Sequence, residues 1–388
     1  MVGAGPAGLA LALSAARRLP GVHITVFDTR PLDKDVSGDA RTLALSLGSV
    51  QMLTRLGVWP AAAAQPIAEV HVSQATPSLL PLPADWSQVH IRARDEGVTM
   101  LGAVLSYGAL VAPLQQAWLQ CCVDDPARCQ ARFGSAVAAL KPLDTGVEVD
   151  AGIAERFDLA VIAEGGVFSE QSRKALSHDY QQRAWVGTVT LDGGTPGLAV
   201  ERFTASGPLA LLPLPVHGTG LRQAAMVWCV DAGDDPVEPL SDAQRIAVLG
   251  TLLPDAAGRI AAISPLKRFE LGLNAELRLV NARTVRIGNA AQTLHPVGGQ
   301  GLNLGLRDAF ALVNTLHGQP DIDAALRRVE WSRAPDRWAM IATTDFLARS
   351  FTWRAPGVAS MRGLGMALLN ALPPLRSQLA RHMMFGRR

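Results

Sequence analysis

Gly288-Asn289-Ala290-Ala291-Gln292-Thr293-Leu294-His295-Pro296-Val297-Gly298-Gly299-Gln300-Gly301-Leu302-Asn303-Leu304-Gly305-Leu306-Arg307-Asp308 is the stretch that decides the fold of this chain. The β-branched run that starts at Thr284 predicts a strand before it, and apolar residues at helical spacing from Leu302 to Leu316 predict a helix after it. The glycines just before that helix leave backbone N–H groups uncovered. Together with the unpaired N–H groups and dipole of the first helical turn, they predict a binding site for an anion or a negatively polarised group.

A second glycine-rich segment lies near residue 1. Gly3, Gly5 and Gly8, with Pro6 and Ala7 between them, match the dinucleotide-binding fingerprint, and the segments that follow predict a helix and then a strand. That strand ends in Asp28, about 20 positions after the third glycine, which is the spacing at which a carboxylate can bind ribose hydroxyls. A solvated strand end is the alternative interpretation of Asp28.

The fingerprint needs a buried strand before its first glycine, and this sequence supplies only Met1 and Val2 of it. The strand would be the central one of a parallel sheet, where neighbouring strands need its backbone groups as hydrogen-bond partners. We therefore expect residues upstream of Met1 to complete the strand and to raise cofactor occupancy.

The two motifs carry a resemblance to a known family. The segment from Gly288 to Asp308 resembles the second FAD motif of the aromatic-ring hydroxylase flavoproteins. Within that group, Asn289 and the run from Gln292 to Pro296 resemble the 2-polyprenyl-6-methoxyphenol hydroxylases of ubiquinone biosynthesis. The resemblance spans nearly the whole chain and implies contacts to FAD from the residues that match the motifs: Gly3, Gly5, Pro6, Ala7, Gly8, Asp28, Arg41, Gly288, Asn289, Pro296, Gly299, Gln300, Gly301, Leu302 and Asn303.

Some positions carry alternatives or depart from the family pattern. Arg41 matches an arginine that reaches the flavin side in the family, whereas a surface ion pair is the alternative. Ala112 stands where relatives place Gln or Arg, with Gln115 nearby, and Gly165 stands where they place Asp. His295 suits proton transfer or, alternatively, a loop histidine bonded to the backbone. No catalytic acid or base is assigned.

The order of predicted elements indicates an α/β (α+β) fold with discontinuous domains. A Rossmann-like FAD-binding domain is predicted over residues 1–75, 98–180 and 276–330. A mixed β-sheet substrate domain is predicted over 76–97 and 181–275, where Ala199-Val-Glu201-Arg202-Phe203 resembles a substrate-sheet segment of the ubiquinone hydroxylases. Residues 331–388 are predicted to form C-terminal helices.

The resemblance implies a function as well as a fold. It implies an FAD-dependent monooxygenase that uses NAD(P)H and O2, through a C4a-hydroperoxyflavin, to hydroxylate the ring of a polyprenylated phenol. Two alternatives stay open: an FAD-deficient scaffold that binds a lipid intermediate, and a non-hydroxylating flavin oxidoreductase such as a prenyl-chain reductase. Retention of yellow flavin and dependence of product on oxygen separate them.

Composition limits the partners. A net charge of +2 with no basic stripe excludes a large nucleic-acid footprint, and the four cysteines form no Cys-x-x-Cys pair, so no metal site is predicted. The sequence shows no leader pattern and no run of 18 apolar residues, which predicts a cytoplasmic protein. Apolar C-terminal helices with neighbouring arginines make the inner-membrane surface, or other proteins of ubiquinone biosynthesis, candidate partners; packing on the flavin domain is the alternative.

Overall fold

The computed structural model describes residues 1–75, 88–165, 174–216, 220–319, 321–350 and 358–386. Gly166 to Ser169, which follow Gly165 in the predicted turn, lie outside these ranges, as do Arg387 and Arg388. The described helices are α1 (Pro6–Arg18), α2 (Leu47–Arg55), α3 (Tyr107–Asp124), α4 (Asp242–Leu252), α5 (Gly301–Gly318), α6 (Ile322–Ser350), α7 (Val358–Ala371) and α8 (Pro373–Phe385).

Twenty strands accompany these helices in the described ranges. They are β1 (Ile24–Asp28), β2 (Thr42–Ser46), β3 (Gln65–Ile67), β4 (Glu69–Gln74), β5 (Gln88–Arg92), β6 (Gly102–Ser106), β7 (Cys129–Phe133), β8 (Ala139–Leu143), β9 (Gly146–Asp150), β10 (Ala154–Phe157), β11 (Ala160–Ile162), β12 (Leu176–Asp192), β13 (Leu198–Phe203), β14 (Pro208–Pro213), β15 (Arg222–Asp231), β16 (Arg259–Ile263), β17 (Lys267–Ala275), β18 (Val280–Asn281), β19 (Thr284–Arg286) and β20 (Gln292–Thr293).

A mainly parallel sheet organises the glycine motifs. β1 pairs with β7, β11 pairs with β19, and Val2 forms parallel bridges to Phe27 and Ile162, so the residues before Gly3 lie at the centre of the sheet. Helices α1, α3 and α5 pack on this sheet around a core that includes Leu9, Leu110 and Leu306. The predicted Rossmann-like arrangement is therefore confirmed.

A nine-stranded mixed sheet forms the second layer of structure. Its order is β20-β17-β12-β15-β14-β13-β4-β5, with β16 pairing to β12. One face packs against α4 through a cluster that includes Val200, Met226 and Leu249. Because side chains alternate along β13, Ala199, Glu201 and Phe203 lie on the opposite face. That opposite face is turned toward the segment before α5, since Phe203 clusters with Val297.

Two local predictions differ from the structure. The sequence from Leu101 to Leu119 predicts a turn at Leu101 and Gly102 followed by an apolar helix, but residues 102–106 form β6, paired antiparallel with β2 and β3. The predicted C-terminal helices begin at residue 331, whereas α6 already starts at Ile322 and continues through Pro335. In both cases tertiary pairing or packing extends an element beyond its local sequence signal.

The predicted domain boundaries stay a prediction, and strand pairing differs from them at two edges. β4 was assigned to the cofactor domain, but it pairs with β13 and β5 of the large sheet. Likewise β12 starts at Leu176, before the predicted boundary at 180, and pairs there with β17. Both strands belong to the large sheet, and sequence periodicity does not reveal this membership.

Replacing Gly8 by alanine should destabilise the fold. A Cβ at Gly8 would lie 2.1 Å from the Gly3 carbonyl oxygen, so the backbone would have to shift, at a cost of at least about 2 kcal/mol. Gly250, within α4, has open space around it, and Gly250→Ala should stabilise the protein by about 0.5–1 kcal/mol. Thermal unfolding of both variants tests this pair, and equal midpoints would contradict it.

Candidate functional site

The start of α1 is the first candidate for anion binding. Gly5 precedes the helix with no side-chain cap, and Pro6 is the first helical residue. Gly3 has φ +99°, and a Cβ there would lie 2.8 Å from the Glu164 backbone nitrogen. Gly8 packs directly against the Gly3 carbonyl oxygen. The backbone N–H groups of the loop therefore lie at the start of the helix, and no side chain of these glycines covers them.

Asp28 lies beside this loop and is buried. Its Oδ2 accepts a hydrogen bond from the Ala4 N–H at 2.6 Å, and its Oδ1 accepts from Arg30 N and Nε at 2.8 and 3.2 Å. Arg30 also donates to the Ala4 carbonyl at 2.9 Å. Asp28 is therefore not a solvated strand end; it fixes the glycine loop, and ribose binding stays a prediction.

The Gly288 turn meets both glycine-bearing helices. Gly288 has φ +59°, and a Cβ built on Gly305 of α5 would lie 2.8 Å from its Cα and 3.6 Å from the Ala7 Cβ. Asn289 next to it is exposed; its carbonyl accepts from Lys174 Nζ, and its Cβ would contact a Cβ at Gly165 at 3.2 Å. The structure thus brings together the motif segments at 3–8 and 288–305, far apart in sequence.

The segment from Pro296 to Gly301 forms the start of α5. Gly298 and Gly299 have φ of +72° and +60°, the left-handed region that favours glycine, and Gln300 provides no side-chain cap. Gly301 has no atom within 4 Å of an added Cβ, so its surroundings are open. Leu302 next to it is partly buried against the α1 and α3 core. This is the anion-binding geometry that the sequence predicts.

Asn303 fastens this helix end to β2 and α2. Its Oδ1 accepts from Ser46 N at 2.8 Å and Ser49 Oγ at 2.7 Å, while its Nδ2 donates to the Ala44 and Gly299 carbonyls at 3.1 and 3.0 Å. All of its hydrogen-bonding capacity is used within the protein. Only its backbone is left for the cofactor contact that we predicted. The serine partners were missed because nothing local links them to residue 303.

His295 is a fixed, neutral histidine. Val297 N donates to its Nδ1 at 3.2 Å, so Nε2 carries the proton and donates to Gln182 Oε1 at 2.9 Å. Burial lowers the pKa of His295 to about 4. Of the two interpretations, the loop histidine bonded to the backbone is confirmed, since neither ring nitrogen is left for proton transfer.

Arg41 lies outside the glycine cluster, beside Tyr107. Its guanidinium pairs with Asp39 at 2.7 Å and lies 4.2 Å from the centroid of the Tyr107 ring, and the Tyr107 hydroxyl would be 3.8 Å from a Cβ on Gly5. The surface ion pair of the alternative interpretation is present, and the Tyr107 ring lies between Arg41 and the α1 loop. A flavin contact stays a prediction.

An open cavity of about 400 Å³ adjoins this region. Ala112 and Gln115 of α3 line it together with the segment from Leu32 to Val36, but none of the glycine-motif residues does. The position where relatives place Gln or Arg therefore borders open space. The cavity is separate from the α5 helix start, and we assign no ligand to it.

A buried ion network supports α5 from behind. Arg333 of α6 pairs with Asp308 at 2.7 Å and with Asp336 at 2.8 Å, and Arg307 pairs with Asp336 at 3.3 Å. Arg307 also donates to Gln300 Oε1 at 3.1 Å. The motif residues Arg307 and Asp308 thus couple the helix start to α6. The sequence signal for this network was the pair of adjacent charged residues, Arg307 and Asp308, in an otherwise mostly apolar helix.

Replacing Asn303 by aspartate should destabilise the helix start. Aspartate keeps the acceptor but loses the donors, and it would bring a carboxylate against the Ala44 and Gly299 carbonyls. We expect a loss of about 2–5 kcal/mol in the free energy of unfolding. Asn314→Asp is the control on the same helix, because exposed Asn314 only accepts from Arg18. Denaturant unfolding compares them, and equal stabilities would contradict the assigned role.

Comparison with known proteins agrees with this geometry. A family profile described as FAD binding domain matches residues 208–320. The chain is 29% identical over 400 residues to ubiquinone hydroxylase UbiL of Rhodospirillum rubrum, covering 99% of this chain and 88% of the relative. It is 26% identical to 3-demethoxyubiquinol 3-hydroxylase of Escherichia coli, covering 98% and 97%.

Solved structures share the fold. HpxO of Klebsiella pneumoniae, complexed with FAD and uric acid, superposes with a TM-score of 0.73 at 16% identity, covering 99% of this chain and 96% of that one. p-Nitrophenol 4-monooxygenase PnpA of Pseudomonas putida gives 0.71 at 16% identity, covering 100% and 98%. The chain thus carries a segment that matches an FAD-binding domain profile, and it is similar over nearly its whole length to FAD-dependent hydroxylases of ubiquinone biosynthesis.

Proposed function

We propose that this protein hydroxylates the aromatic ring of a polyprenylated phenol in ubiquinone biosynthesis, using FAD, NAD(P)H and O2. The observation that carries the proposal is that α1 and α5, both without a side-chain cap at their starts, pack on the Gly288 turn through Ala7 and Gly305. The relatives that align over nearly the whole chain are hydroxylases of ubiquinone or its precursors by name. Both kinds of support point to one enzyme class.

The residues present fit an FAD molecule. A dinucleotide needs backbone N–H groups for its diphosphate, and the Gly3 to Gly8 loop offers them at the start of α1. The flavin ring needs a positively polarised partner near N1 and C2=O, and the start of α5 at Gly301 is open for that role. The left-handed turn at Gly298 and Gly299 lets the backbone approach the ring closely.

When bound, the flavin supplies the oxidation chemistry, and the protein supplies position, polarity and exclusion of water. In this proposal the α5 start stabilises negative charge on the ring through its N–H groups and dipole. The turn from Pro296 to Gln300 shields the reacting region, and its shape is kept by Asn303 and Arg307. The face of the large sheet that carries Phe203 forms the opposite, apolar wall for the phenol.

The purified protein should retain FAD and convert a short-chain prenylated phenol in the presence of NAD(P)H and O2. The visible spectrum reports bound flavin, and product formation under air and under argon separates hydroxylation from other flavin chemistry. Gly298→Val should lower turnover at least about tenfold, because its side chain would enter the left-handed turn beside the ring. The matched control is Gly220→Val, at an open turn with φ +74°.

Two outcomes would overturn the hydroxylase assignment. A protein that binds the prenylated phenol but takes up no FAD would be a binding scaffold of the same fold. Oxygen-independent product would identify a reductase instead. Each outcome corresponds to an alternative function that the sequence leaves open.

We further propose that the C-terminal helices rest on an anionic membrane surface. Exposed apolar residues recur at intervals of three or four along this segment: Met361, Leu364 and Leu368 on α7, Leu372 between the helices, and Leu375 and Leu379 on α8. Arg381 on α8 is largely exposed beside them. Among the described helices, none combines the length and apolar character needed to cross a bilayer. An amphipathic surface lying in the headgroup region would give access to a lipid-soluble phenol.

Substituting Leu364 and Leu368 together by serine should weaken binding to phosphatidylglycerol-containing vesicles by about tenfold or more, since each buried leucine contributes about 1.5–3 kcal/mol. Vesicle flotation measures the bound fraction. The control carries Val123→Ser and Ile153→Ser, which are even more exposed but distant in sequence. Unchanged binding, equal loss in the control, or a concentration-dependent dimer without vesicle binding would contradict a membrane surface.

A further inference from the structure

Glu201 is an acidic residue set in an apolar wall. It lies on β13, and its neighbours across the sheet are Val72 on β4 and Ala210 on β14, with Val227 next in the row on β15. Directly opposed residues of adjacent strands share a face. The carboxyl group therefore projects from a surface otherwise made of small and medium apolar side chains.

The facing wall is the segment that precedes α5. Ala199, two positions before Glu201, clusters with Ala44 and Met384, and Phe203, two positions after it, clusters with Val297. Glu201 lies between these two contacts. The backbone N–H of Gly298 in this turn faces the carboxyl group and partly offsets the rise that burial causes in its pKa. The group is thus placed at the turn that borders the flavin ring in the proposed function.

One oxygen of this carboxyl group has no partner. Glu201 keeps some exposed surface as a residue, but Oε1 is buried and meets no hydrogen-bond donor among the described residues. Burial without full pairing raises the pKa of Glu201 to about 8. A buried carboxyl oxygen without a hydrogen-bond donor costs free energy of folding. This cost points to a ligand that supplies the missing donor.

We propose that Glu201 binds the phenolic hydroxyl of the aromatic substrate and takes up its proton during ring hydroxylation. The proposal rests on the proposed function and names the group that activates the substrate. A phenol hydroxyl is the donor that suits a lone carboxylate oxygen, while the ring fits the apolar surface formed by Val72, Ala210 and Val227.

The proton balance is simple. The O–H bond of the phenol breaks, an O–H bond forms on Glu201, and the electron pair stays on the phenolic oxygen, where it enriches the ring carbons that accept the new oxygen. That oxygen atom comes from O2 and the reducing equivalents from NAD(P)H. The second oxygen atom of O2 leaves as water. The ring carbon then releases its own proton to solvent as the ring becomes aromatic again, and the phenolate recovers a proton from Glu201. A base whose pKa is near the working pH is the effective one.

Other titratable groups near Glu201 do not replace it. Cys229 of β15 interacts electrostatically with Glu201. Burial and the nearby carboxylate raise the pKa of this thiol, which stays protonated. Arg202 lies on the other face of β13, near His71. Lys267 stands at the far end of the same row, beyond Val186 of β12, and His295 from the turn is held neutral. Glu201 is thus the proton acceptor of this wall within the described residues.

The test compares Glu201→Gln with Glu270→Gln, an exposed glutamate of the same sheet that pairs with Arg183. Calorimetry measures the affinity of the FAD-loaded protein for a short-chain prenylated phenol and for its methyl ether, from pH 6 to pH 9. In the wild-type protein and in Glu270→Gln, preference for the phenol should increase about tenfold as the carboxylate forms near pH 8. In Glu201→Gln the preference should be independent of pH.

Turnover provides a second measurement. The rate should rise with pH through about 8 in the wild-type protein, because the deprotonated carboxylate is the active form, and Glu201→Gln should lose this rise with a drop of about 100-fold at pH 8. Glu201→Asp should restore part of the rise, which a merely structural role would not predict. Thermal unfolding and flavin content verify that each variant folds.

Two results would overturn the inference: a phenol preference that is independent of pH in the wild-type protein, or an identical pH dependence in Glu201→Gln. A different pattern would affect only the proposed function. If the wild-type protein shows the pH-dependent preference but forms no oxygen-dependent product, Glu201 keeps its binding role and the hydroxylase assignment fails.

Discussion

The site depends on backbone packed directly against backbone at two places. Gly8 closes on the Gly3 carbonyl, and Gly305 closes on Gly288, each at a distance that leaves no room for a Cβ. These contacts draw α1 and α5 onto the same turn, with Ala7 between them. Two positive helix ends then converge on one region. The Gly3–Gly8 loop and the Gly288 turn are held by backbone contacts and not by side chains. Their backbone N–H groups can therefore bind a negatively charged ligand.

A helix start that serves a ligand cannot also be closed by its own cap, so its position must be fixed in another way. Here the buried amide of Asn303 ties α5 to Ser46 and Ser49, and the ion network behind the helix ties Arg307 and Asp308 to Arg333 and Asp336 of α6. A buried ion pair gives little net stability, but removing one partner is costly. The network therefore holds orientation, and the N–H groups of the first turn stay available.

Much of this arrangement follows from local sequence, because glycine spacing, helix periodicity and strand alternation are short-range signals. The helices α1 and α5 and the strand from residue 198 to 203 were predictable in this way. The partners of Asp28, Asn303 and Arg307 were not, since they lie on elements tens to hundreds of residues away. Likewise β4 looks like any alternating strand, and only its parallel pairing with β13 assigns it to the large sheet.

Glu201 shows how the two layers of the molecule combine. Its sequence context, Ala199 to Phe203, reads as an ordinary alternating strand with a polar residue at one position. In the fold that position becomes the point where an apolar sheet face meets the turn before α5, and Oε1 of the carboxyl group is buried there without a donor among the described residues. A valine or leucine would fill this place at lower cost. The cost is reasonable if the missing donor arrives with the substrate, because the same burial that penalises the charge also raises its basicity. The turn that borders the flavin ring in the proposed function would then also position the base, so that ring binding and proton uptake occur at one junction of the two layers.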